Sequence, residues 1–81
     1  MLRKKSVLLA GHATSIALEP EFWAVLEGRA TREGVSLAAL LKQIDAGRAR
    51  RPLASACRVA ALQWVADFAH EKGQAAPGDL P

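Results

Sequence analysis

Tyrosine is absent and Phe and Trp number only two each, so the chain has little of the aromatic material that sheets favour. Its abundance of Ala and Leu favours helices instead. The single cysteine, Cys57, excludes an intramolecular disulfide and a thiol cluster for zinc. A reducing cytoplasmic setting is expected, with Cys57 a small buried residue on a helix. No run approaches the ~18 apolar residues of a membrane span. The apolar stretch after Arg3-Lys4-Lys5 is about five residues, against roughly 7–15 for a secretion signal, so export is not expected. His12 and His70 lie near opposite ends of the chain. With Cys57, Asp45 and Asp67 they show no spacing that builds a metal site or an acid–base pair. No catalytic residue, metal or cofactor is expected, and His12 reads as a polar turn residue.

What is present is 81 residues, 51% hydrophobic, with a net charge of +3. That is one domain, not disordered by composition, but short enough that pairing with a second copy would supplement its stability. Charge is unevenly placed. Arg3, Lys4 and Lys5 form one basic cluster and Arg48, Arg50, Arg51 and Arg58 another, whereas the segment from residue 19 to 33 leans acidic through Glu21, Glu27 and Glu33. Such separation fits a molecule with one face turned to a polyanion; the plainer reading is a solvated terminus and loop.

The organising stretch is His12 to Trp23, where period two gives way to a helical period. Ile16 and Leu18 share one strand face, while Ala13, Ser15 and Ala17 share the other, all small. Pro20 ends the strand and suits a first helical turn. Upstream, Val7 and Leu9 also share a face, but on odd numbers. The register is therefore expected to slip between Ala10 and Thr14, with Gly11 at a bulge or bend.

A first helix is expected from Pro20 to Glu33, with Phe22, Val25, Leu26, Arg29 and Ala30 as its stripe. Gly28 interrupts it, through close helix approach or a tolerated weakness. Gly34 stops this helix and Ser36 caps the next. Leu37, Leu40, Leu41 and Ile44 are the second stripe, and the second helix's bare N–H groups can hold an anion such as a phosphate. Asp45 near its end reads as a structural acceptor. After a break at Gly47 to Pro52, a third helix from about Leu53 to His70 carries a stripe wide enough that Trp64 and Phe68 are expected at a subunit interface, an internal core being the alternative. Three regions result: a basic arm at 1–11 with a short strand, a domain at 12–71, and a disordered tail at 72–81.

The segments Gly11-His12, Thr14-Ser15-Ile16, Leu18 to Trp23, Gly34 to Leu37, Leu40-Leu41, Ile44-Asp45 and Leu53 to Ala56 resemble the ribbon-helix-helix proteins, in particular a small bacterial subfamily with a third helix. The resemblance implies a mostly α fold, a short strand followed by two helices plus a C-terminal third, in an intertwined homodimer. Its two strands, one from each copy, would form an antiparallel ribbon in the major groove of double-stranded DNA. Ala13, Ser15 and Ala17 would face the bases. Ser36 and Leu37 would anchor a phosphate, as would Arg3, Lys4 and Lys5 of the arm. Ile16, Leu18, Leu40, Leu41, Ile44, Trp64 and Phe68 would form the dimer core. Relatives commonly place a long polar residue where Ala13 stands. Alanine can only touch a thymine methyl, so readout would rest on Ser15. The expected function is transcriptional regulation by site occupancy, with no enzymatic step. The alternative is a protein-interaction module or antitoxin-like dimer, with weak or no sequence-specific DNA binding, that binds a protein partner through its small ribbon face and its third helix.

Overall fold

The computed structural model describes residues 1–75, with side-chain surroundings through residue 70. Two strands, β1 (Arg3–Leu9) and β2 (His12–Leu18), precede three helices, α1 (Pro20–Glu33), α2 (Leu37–Gly47) and α3 (Leu53–Ala75).

The strands pair antiparallel within one chain, from Arg3 opposite Leu18 to Leu9 opposite His12. Only Ala10 and Gly11 connect them, both at positive φ, 52° and 82°. A two-residue type I′ turn requires positive φ at both central positions, because its twist matches the strands it joins. The expected slip and bulge are therefore a hairpin turn. Folding back through two residues places odd positions of β1 opposite even positions of β2. Val7 and Leu9 thus come to share the inner face with Ile16 and Leu18. β2 pairs antiparallel with β1 of the same chain, and Ala10-Gly11 forms the turn between them.

Glu19 starts α1 from an extended backbone, its carbonyl accepting from Phe22 N–H at 3.0 Å and Trp23 N–H at 3.2 Å. Gly34, at φ 71°, ends the helix: its N–H reaches Thr31 O and that of Val35 reaches Ala30 O, a Schellman closure. Ser36 Oγ then accepts from Ala39 N–H at 3.0 Å, capping α2 as its position predicts. A Cβ at Gly28 would meet nothing within 4 Å, which excludes close helix approach as the reason for that glycine.

Beneath the hairpin, Leu9, Ile16, Leu18, Trp23, Leu26, Ala30, Leu40, Leu41, Cys57 and Ala61 form one core. Trp23 belongs to it more deeply than its neighbour Phe22, which is only partly buried. Of the residues expected to form a dimer core, Ile16, Leu18, Leu40 and Leu41 are buried within one chain. Ile44 and Trp64 flank this core, and Phe68 is half exposed. The third helix continues past His70 to Ala75, so the first residues of the expected tail are helical; residues 76–81 lie outside the described residues. No helix among the described residues is long and apolar enough to cross a membrane.

Candidate nucleic-acid interface

Alternation along the hairpin leaves one face against the helices and one face outward. The outward face has three cross-strand pairs: Lys4 with Ala17, Ser6 with Ser15, and Leu8 with Ala13. All but the half-buried Ala17 are exposed, and Leu8 at 69% is an apolar side chain held in solvent. The Ser6 and Ser15 hydroxyls lie 3.3 Å apart and share a hydrogen bond at the centre of this face.

Ala13, Ser15 and Ala17 are thus brought together as expected, but they are half of the surface. Lys4, expected at a phosphate, stands on the same face, and Ser6 and Leu8 enter from β1. The sequence signal for them was available: two alternating runs joined by two residues ending in Gly, with the apolar phase passing from odd to even. Chemically, the face offers one ammonium, two hydroxyls that donate or accept, and a set of methyl groups. Those are groups that meet guanine O6/N7, either base edge, and the thymine methyl in a major groove.

The expected phosphate-contacting residues divide by whether a carboxylate already holds them. Lys5 points inward: its Nζ lies 3.3 Å from Glu27 Oε2 and 5.5 Å from the centroid of the Trp23 ring. The Arg3 backbone carbonyl accepts from Trp23 Nε1–H, while its side chain is exposed. Among the described residues neither Arg3 nor Lys4 has a carboxylate within ion-pair distance. Ser36 caps α2 with its hydroxyl, which leaves the backbone N–H groups of Leu37 and Ala38 as the remaining donors at the start of that helix.

Other polar groups serve the fold. Arg58 Nε donates to Glu19 Oε1 at 2.9 Å and stacks its guanidinium over Phe22, tying α3 to the start of α1. That hydrogen bond holds the Glu19 carboxyl below its usual pKa. Arg48 Nε donates to Asp45 Oδ1, so Asp45 is the structural acceptor it was expected to be. Cys57 is fully buried, and desolvation pushes its thiol pKa up to about 11, too high for a reactive thiolate at neutral pH. Among the described residues no three His, Cys, Asp or Glu side chains gather as a metal site.

A family model described as a ribbon-helix-helix domain matches residues 2–65. No curated protein and no solved structure matches the chain. The matched segment holds both strands of the hairpin, the two helices behind it and the first part of α3, which together make the ribbon with its helical support. By that match the chain belongs to the ribbon-helix-helix domain family.

Proposed function

We propose that this chain binds duplex DNA by laying the outward face of its hairpin in the major groove, and that it regulates transcription by occupying its site as a homodimer. The family is generally one of DNA-binding transcription regulators and antitoxins. The observation that carries the reading is the face itself: Lys4, Ser6, Leu8, Ala13, Ser15 and Ala17 project from a two-stranded ribbon whose other side is closed by the core. Strands about 4.8 Å apart make a ribbon that a groove about 12 Å wide admits. Ser6 adds a second hydroxyl beside Ser15 where Ala13 lacks a long polar side chain, and Arg3 and Lys4, with the α2 N-terminus, supply phosphate contacts.

Pairing of two copies is supported by chain length and by apolar side chains that are exposed among the described residues, namely Val59, Leu62 and Val65 on α3. Fluorescence titration of genomic fragments across a salt series, with the mass in solution measured with and without DNA, tests both parts. Binding that weakens steeply with salt and a mass of two chains are expected. Absence of binding to every fragment at low salt excludes the DNA reading, and a monomer on DNA excludes the pairing.

The same α3 surface favours a second reading, a dimer that also holds a protein partner in the manner of an antitoxin. A stable stoichiometric complex lost on changing Leu62 and Phe68 to polar residues would select it.

A further inference from the structure

The second basic cluster stands where the ribbon ends. Leu9, Ala10 and His12, at the tip of the hairpin, share a cleft of about 300 Å³ with Asp45, Arg48 and Leu53, so the segment joining α2 to α3 lies beside the tip. That segment is braced. Arg51 N–H donates to Arg48 O at 3.0 Å, Arg48 Nη1 donates back to Arg51 O at 2.9 Å, and Arg48 Nε is held by Asp45. Ala49, at φ 57°, makes the sharp bend between them. Arg50 and Arg51 are both exposed, and among the described residues neither guanidinium has a carboxylate partner. Lys5, Arg29, Arg48 and Arg58 each have one.

We propose that this loop is a second phosphate-binding site, in which Arg50 and Arg51 grip the DNA backbone beside the ribbon tip. The inference rests on the major-groove reading above. Unpaired cations then bracket the ribbon: Arg3 and Lys4 at one end, Arg50 and Arg51 at the other, separated by about 20 Å of strand. The groove is about 8.5 Å deep, so phosphates along its walls reach past the ribbon to the layer beneath it, where the loop lies. Guanidinium suits the task, since its planar fork meets two phosphate oxygens at once and remains charged. The braced backbone fixes where both side chains start, so only the side chains themselves are ordered on binding.

The test is binding of a short random-sequence duplex, followed by fluorescence anisotropy across a salt series, for the unaltered protein and for R50Q/R51Q, K4A and K42Q. Lys42 is a control, an exposed cation on α2. Each lost phosphate contact lowers the slope of log K against log salt by about 0.9. The slope is expected to fall by about 1.8 in R50Q/R51Q, equally for every sequence, and to stay unchanged in K42Q. An unaltered slope in R50Q/R51Q, with K4A still weakened, overturns the loop site and leaves the ribbon reading standing. No binding by the unaltered protein at low salt overturns both. Arg48 uses only the backbone carbonyl of Arg51, so the double variant keeps the turn. If its melting temperature nevertheless falls, R50Q alone, with an expected slope change of about 0.9, decides the matter.

Discussion

The indole Nε1–H of Trp23, in the first turn of α1, donates to the backbone carbonyl of Arg3 at 2.8 Å. Twenty residues separate the two, and the bond fixes the start of β1 to the helix beneath it. Trp23 is 1% exposed, so the bond's donor is closed off from water and no solvent bond replaces it. Trp23→Phe is expected to cost about 1–3 kcal/mol of stability, read by urea denaturation. Amide exchange should rise first in β1, while α2 stays protected.

The turn at Ala10-Gly11 carries strain that a substitution can remove. Ala10 holds a left-handed φ that L residues with a Cβ disfavour by about 1–2 kcal/mol, and Asn tolerates better. Ala10→Asn should therefore raise the denaturation midpoint. Gly11→Ala should lower stability by about 1 kcal/mol through backbone strain alone, since nothing lies within 4 Å of the added methyl.

Adjacent lysines should behave differently. Lys4 is exposed on the outward face, and its loss in Lys4→Ala should lower the salt slope of DNA binding by about 0.9 at unchanged stability. Lys5 is held by Glu27 and Trp23, so Lys5→Ala should leave the slope near its original value and slightly lower the melting temperature. Equal slopes in the two variants would contradict the assignment of faces.

Acid should loosen the joint between α3 and α1. Arg58 holds the folded-state pKa of Glu19 down, so the group contributes stability above its unfolded value and loses that contribution as pH falls through the folded one. Thermal melts from neutrality to pH about 3 should show a smaller acid-induced drop in Glu19→Gln than in the unaltered chain. A drop of the same size in both would show that the Arg58 contact does not govern this limb.

Local chemistry made much of this fold legible. Pro20, Gly34 and Ser36 each act at their own position, and α1 and the start of α2 fall where they direct. The apolar alternation of Ile16 and Leu18 likewise marked β2 and its inner face. Val7 and Leu9 are out of phase with Ile16 and Leu18, which along the sequence reads as a slip and in the fold is the change of facing across a two-residue turn. Ser6 and Leu8 join the candidate face only through that turn. Trp23 was hidden for another reason: Glu27 follows it at i+4, and that position reads as solvent until Lys5 is placed beside it. That the loop carrying Arg50 and Arg51 lies near the hairpin tip depends on the cleft Leu9, Ala10 and His12 share with Asp45, Arg48 and Leu53, which no local pattern records.

Because two residues close the hairpin, its length there is not free to vary. Adding or deleting one residue within β1 while the two-residue turn is kept would turn the rest of that strand over, sending Lys4 toward the helices and Lys5 into solvent. Homologous chains that keep this turn should therefore keep the change of apolar phase from odd to even positions across it.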